Sequence, residues 1–175
     1  MEIKYLTLPL LIAISCLMPN TYAADTGTAN KIKANQYIKC AANSVTTGAI
    51  KTAFNQQSDR ESQMLIYGGA AMAMYAGWIT TPEYALNSYK EHQQSLKQDS
   101  QKYIRSGSRD EIYNFTVSYL VPKNEKCVPL MKELQANVSN PSSDFHNFKN
   151  TQEAKQLMDT VIKTSAEMVI GKDAN

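Results

Sequence analysis

Apolar positions along this chain recur mostly at intervals of three and four, the spacing of one face of a helix. The least polar stretch is Met64–Ile79, MLIYGGAAMAMYAGWI, which has no charged side chain and contains Gly68, Gly69, Gly77 and the sole tryptophan, Trp78. On a helix, Gly69, Ala73 and Gly77 fall at i, i+4 and i+8 and make a narrow, smooth face, while Met64, Tyr67, Met74, Tyr75 and Trp78 supply bulk on the other faces. A helix that is apolar nearly all round is expected to be buried all round. Ser58-Asp59-Arg60-Glu61 offers a capping box before it, and Thr81-Pro82-Glu83 a fresh helix start after it. The pattern therefore predicts a central apolar helix over about 59–79.

The flanking segments carry the same period. Ala24–Ala29 is small and polar and reads as a flexible start. From Asn30, the positions Ile32, Ile38, Ala41, Ala42 and Val45 mark a helix with Cys40 near its inner side. Thr46-Thr47-Gly48 is expected to weaken or break it, leaving Ala49–Asn55 as a separate short helix or a continuation. After Pro82, Leu86, Tyr89, Gln93, Leu96, Ser100 and Tyr103 form a narrow seam on a polar helix, expected to run to about Ser106 and stop at Gly107. Ser108-Arg109-Asp110-Glu111 is a second capping box, followed by Ile112, Phe115, Val117, Tyr119 and Leu120. That segment is rich in β-branched and aromatic residues, so a strand over Tyr113–Val121 competes with a helix ending before Pro122; the explicit cap favours the helix. Asn124–Asn137 reads as a shorter helix with Cys127, Leu130, Met131 and Leu134 on one face, and Asn137–Asn150 as a loop pinned by Phe145 and Phe148. The cleanest amphipathic pattern is the last, Thr151–Ile170, through Ala154, Leu157, Met158, Val161, Ile162, Ser165, Met168 and Val169, with Gly171 as its stop. Five to seven helices with short connections imply an all-α, compact bundle.

The N-terminus changes the picture from a generic bundle to an exported one. Lys4, the apolar run Leu6–Met18 and the small-x-small site Thr21-Tyr22-Ala23 read as a signal peptide over 1–23, cleaved after Ala23. Of 175 residues, 152 then remain, which suits one α-helical domain over 24–175. Ala13-Ile14-Ser15-Cys16 raises a lipid anchor at Cys16 as the alternative. Cys40 and Cys127 are the two cysteines left after cleavage, and in an exported chain an even pair reads as a disulfide. A net charge of +2, dispersed along the chain, argues against a nucleic-acid surface. The apolar stretch, sixteen residues long, would rise about 24 Å against a hydrocarbon core of about 30 Å, so no stable membrane span is expected.

Candidate chemistry is sparse. His92 and His146 lie 54 residues apart and form no metal-ligand spacing; they read as a solvated helix residue and a partly buried loop residue. No GxSxG elbow, Ser-x-x-Lys pair or phosphate loop is present, and Glu83, Glu91, Asp110 and Glu111 read as helix-end or solvated carboxylates. Asn114 and Asn137 head glycosylation sequons that matter only in a eukaryotic host. Neither a catalytic residue, a metal site nor a cofactor is therefore expected. Tyr84, Tyr89, Tyr103, Tyr113 and Tyr119 cluster among Gln, Ser and Lys, a composition suited to a protein-contact face or to the seam of a helical hairpin. The plan of leader, helices and one disulfide resembles that of periplasmic immunity proteins of secreted amidases and of small acid-stress chaperones, a likeness of architecture and not of motif. It implies an inhibitor, immunity or chaperone role with a protein partner. The alternatives are a membrane-associated protein or lipoprotein using 64–79 or Cys16, and an enzyme with a carboxylate-based site.

Overall fold

The computed structural model describes residues 21–55 and 59–170. The expected leader over 1–20, Cys16, Ser58, Gly171 and the side chains of Ser165, Met168 and Val169 lie outside the described residues. Within them the chain is all-helical: α1 (Thr21–Asn55), α2 (Arg60–Ile79), α3 (Pro82–Tyr103), α4 (Arg109–Phe115), a π-helical turn (Thr116–Leu120), α5 (Val121–Glu125), α6 (Val128–Ser139), α7 (Asp144–Phe148) and α8 (Gln152–Ile170). Counting α4, the π turn and α5 as one rod gives seven helices among the described residues, with no strand.

Thr46-Thr47-Gly48 does not break α1, and Ala24–Ala29 is already helical. The Thr47 hydroxyl donates to Asn43 O (2.8 Å) and Thr52 to Gly48 O (3.0 Å), so these hydroxyls bond back onto the helix. Gly48 serves packing. A Cβ there would lie 2.7 Å from Ser62 O and 2.8 Å from an Ile66 side-chain carbon, so its absence lets α1 and α2 approach backbone to backbone. Gly69 does the same from the other side, facing Val45 and Ala41 O of α1. Gly77 instead faces Leu157 of α8. The predicted small-residue face is thus shared between two partners.

Two expectations about burial are corrected. Ile32 is exposed, while Ala34, Tyr37, Ile38, Ala41, Ala42 and Val45 carry the inner face of α1. The apolar helix α2 is not buried all round: Met64 is 64% exposed and Tyr67 54%, and burial becomes continuous only from Met72 to Gly77. Its start is one residue later than expected, with Asp59 as N-cap accepting from Ser62 N (2.6 Å).

α3 starts as predicted, with Thr81 accepting from Tyr84 N and Pro82 in the first turn, but it ends at Tyr103. Gly107 lies beyond that end, in the linker, with φ of 72°. The predicted seam is real at its centre: Tyr89, Gln93 and Leu96 are buried, and Gln93 Nε2 donates to the Tyr89 hydroxyl (2.6 Å). The next helix does not end before Pro122. Phe115 and Leu120 are both buried although five apart, a separation that rotates roughly 140° on an α-helix. The π turn, in which Val121 N–H donates to Thr116 O, brings them to one side and lets Pro122 fall in the first turn of α5, where its missing N–H is harmless.

The helix expected over Asn124–Asn137 is divided: Asn124 belongs to α5, and α6 begins at Val128. The expected loop Asn137–Asn150 is largely helical, since α6 runs to Ser139 and α7 is capped by Ser143 accepting from His146 N. Phe145 pins it as expected. The ring is fully buried, 5.1 Å from Tyr75 and 5.6 Å from Trp78, with Tyr37 completing the cluster 4.7 Å from Tyr75. On α8, Ala154, Leu157 and Val161 are buried, as the pattern predicts.

Candidate functional site

The Cys40–Cys127 disulfide is formed, with Cα atoms 5.6 Å apart, and it fixes the turn between α5 and α6 against α1. Asn124 adds a second tie one turn earlier. Its Nδ2 donates to Thr47 Oγ1 (2.8 Å), and its Oδ1 accepts from Ser44 Oγ (3.3 Å). Three polar side chains in a mostly apolar region are thereby satisfied by one another.

Beyond this tie the rod stands off from α1 and leaves a groove of about 550 Å³. One wall is the C-terminal half of α1, with Ile50 and Phe54; Leu65 of α2 and Met131 of α6 contribute from the sides. The other wall is the rod, with Tyr113, Val117 and Val121, continued by Val128 of α6. All four of these are exposed, Tyr113 at 63% and Val117 at 45%. Tyr113, Val117 and Val121 are spaced four apart, so they form one stripe about 12 Å long. At one end the Arg109 guanidinium stands over the Phe54 ring, 5.2 Å from its centroid. At the rim Lys51 and Glu61 pair at 2.5 Å, so Glu125 carries the remaining charge of the lining.

Rigid supports hold the rod at its N-terminal end. Ser108 accepts from Glu111 N (3.3 Å), as the capping box predicts. The Glu111 carboxylate reaches further back than expected and accepts from Ser106 N (2.8 Å), Ser106 Oγ (3.0 Å) and Arg105 N (3.0 Å). The Ser106 backbone bond, foremost among these, holds the Glu111 carboxyl below the usual glutamate value.

The five tyrosines do not form one face. Tyr89 is fully buried, and its hydroxyl donates to Val161 O (3.4 Å). Tyr84 donates to Asn35 Oδ1 (3.1 Å) near the N-terminal end of α3. Tyr103 and Tyr119 meet at 5.4 Å beside Phe115, and the Tyr119 hydroxyl donates to Asp99. Only Tyr113 of the five lines the apolar groove. Burial and the bond to Asp99 both raise the Tyr119 pKa, so it stays a neutral donor. His92 is partly buried and lines a separate polar cleft; burial and Lys39 lower its pKa, which favours the neutral imidazole. His146 is partly buried, as expected.

No known protein family, characterised protein or solved structure matches this chain. Its function must therefore be argued from its own surfaces. Among the described residues there is no cluster of three or more His, Cys, Asp or Glu that could hold a metal ion, and no helix long and apolar enough to cross a membrane. The sequence marks Val117 only as an apolar position of its helix and does not mark Val121 and Val128 as site residues, yet all three carry a readable signal. They are apolar side chains left over once Phe115, Leu120 and Cys127 have taken the buried positions of their segments.

Proposed function

We propose that this chain is an exported, non-enzymatic helical protein whose apolar groove receives the apolar face of an amphipathic helix from a protein partner. The observation that carries the reading is the exposed stripe Tyr113, Val117 and Val121, continued by Val128, along a groove walled by helices. A contiguous apolar patch beside a cavity is a recognised mark of an interaction surface. The stripe's four-residue spacing complements the ridges of a second helix better than the two-residue spacing of a strand. With Lys51 and Glu61 neutralising each other, Glu125 favours a cation on the incoming helix. Compact packing around the α1–α2 pair gives the groove a rigid back wall, which lowers the entropy lost on binding.

Export is supported by the leader-like N-terminus and by the Cys40–Cys127 disulfide, a bond that persists in oxidising compartments. The partner type expected is a toxin, enzyme or client protein of the same compartment, in keeping with an inhibitor, immunity or chaperone role.

The test is photocrosslinking. Benzoylphenylalanine at Val117 should crosslink one defined protein in an envelope extract, through a segment that is an amphipathic helix, and the same probe at exposed Lys155 on α8 should not. Val117→Asp/Val121→Asp should abolish the complex reconstituted from the two purified proteins while leaving the circular dichroism unchanged. A crosslink to lipid, identical products from both probe sites, or an unchanged affinity in the double variant would each refute the proposal.

A further inference from the structure

The other side of the same rod borders a second cleft, polar and about 710 Å³, between α1, α3 and the turn from α5 to α6. We propose that this cleft binds a multivalent phosphate-bearing group. Lys39, Lys123 and Lys126 all line it, and none of the three is in a salt bridge among the described residues. Two of them are placed there covalently. Lys39 immediately precedes Cys40 and Lys126 immediately precedes Cys127, so the disulfide, with Cα atoms 5.6 Å apart, draws together two cations that would otherwise separate. Lys123 lies one helical turn before Cys127, its Nζ 3.7 Å from the centroid of the Tyr119 ring.

The one carboxylate in the lining, Asp99, is already engaged. It pairs with Lys102 at 2.6 Å and accepts from the Tyr119 hydroxyl, outside any bond to the three lysines. Three lysines thus line a cavity with a single carboxylate, which leaves an excess of positive charge. Burial lowers the Lys123 pKa, Asp99 opposes this, and the neighbouring Lys126 and Lys39 lower it further. Gln36, Asn43 and Ser95 supply neutral donors around the same space. A singly charged anion would leave two of the three cations uncompensated, whereas a group bearing two or more negative charges would match the cluster. A phosphate, with several acceptor oxygens on one centre, suits point-charge donors of this kind.

Isothermal titration with sodium tripolyphosphate at low ionic strength tests this for a soluble ligand, and flotation with cardiolipin vesicles, whose headgroup carries two phosphates, tests it for a lipid headgroup. Binding should weaken as salt is added. It should fall by roughly tenfold or more in Lys39→Gln/Lys126→Gln and persist in Lys155→Gln/Lys163→Gln, whose lysines are exposed on α8. Both cleft lysines are exposed, so the fold should survive their replacement, which circular dichroism checks. An independent readout is His92, which lines the cleft: tripolyphosphate should raise its titration midpoint. Tripolyphosphate binding with these effects assigns a soluble phosphate source; binding confined to vesicles and lost in the cleft variant assigns a headgroup. Absence of binding to both probes, equal loss in the control pair, or tripolyphosphate binding that leaves His92 unmoved would overturn the proposal.

Discussion

Two adjacent glycines of α2 should respond to the same substitution with opposite sign. Gly68 and Gly69 have identical intrinsic helix propensity, and Gly→Ala within a helix is worth about 1 kcal/mol of stabilisation where the methyl group has room. At Gly68 it has room, because the nearest atom to an added Cβ is the end of the Met131 side chain at 3.6 Å, an ordinary contact. Gly68→Ala should therefore stabilise by about 0.5–1 kcal/mol. At Gly69 the added Cβ would lie 2.5 Å from Val45 Cγ2, 2.9 Å from Ala41 O and 3.1 Å from Val45 N. A side chain could rotate away, but two of these three atoms are backbone of α1, so the helix pair itself must move apart. Overpacking of this kind costs about 1–3 kcal/mol, and close backbone contact puts Gly69→Ala at the upper end. After the propensity gain of about 1 kcal/mol, a net destabilisation of about 1–2 kcal/mol is expected. Urea denaturation followed by circular dichroism separates the two variants, and in thermal scans the midpoints should lie about 3–12 °C apart. Adding Val45→Ala to Gly69→Ala should recover little, since the contact with Ala41 O remains. Equal shifts of the same sign in the two single variants would show that α1 and α2 do not meet through Gly69, and would undo the packing argument.

Other outcomes follow from the same structure. Cys40→Ala/Cys127→Ala removes a crosslink over a sequence separation of 87 and should lower stability by about 4–5 kcal/mol in the loop-entropy model, seen as a reduced urea midpoint; an unchanged midpoint would contradict it. Phe145→Ala should cost about 3–5 kcal/mol, because it empties a fully buried site packed against Tyr75 and Trp78, and should quench or shift the emission of the sole tryptophan. Glu111 has a folded pKa below the ordinary value of 4.5, so its contribution is present above that value and is lost as pH falls through the lower folded one. Glu111→Gln should accordingly flatten the acid limb of stability against pH and leave the neutral limb parallel to that of the parent; an unaltered acid limb would refute the cap.

Much of this architecture was legible because it rests on local rules. Thr81-Pro82 and Ser108 cap where their side chains predict, and the last helix buries Ala154, Leu157 and Val161 on the face its spacing marks. The Cys40–Cys127 pair followed from cysteine number and a leader-like N-terminus. What escaped the sequence was decided by tertiary contact. Thr46-Thr47-Gly48 looks like a breaker until Ser62 O is found 2.7 Å from the missing Cβ of Gly48. Pro122 looks like a stop until the preceding π turn resets the helix. Tyr89 resembles its surface neighbours in sequence, yet Gln93 and Val161 O await its hydroxyl inside the core. The groove was invisible for a related reason: a cavity belongs to several segments at once, and no single window of sequence contains both Phe54 and Val117.

The π turn connects these observations. With ordinary α-helical phasing, Phe115 and Leu120 could not both face the core, and burying one would turn the other outward. By widening one turn, the rod buries both and keeps Tyr113, Val117 and Val121 on its outer stripe, while Tyr119 and Lys123 remain on the side facing α3. The rod therefore divides an apolar groove from a basic cleft, and the two are held by the same ties to α1, Asn124 on the groove side and Cys127 on the cleft side. The groove and the cleft thus share one wall, whose position the disulfide and the Asn124 bonds set.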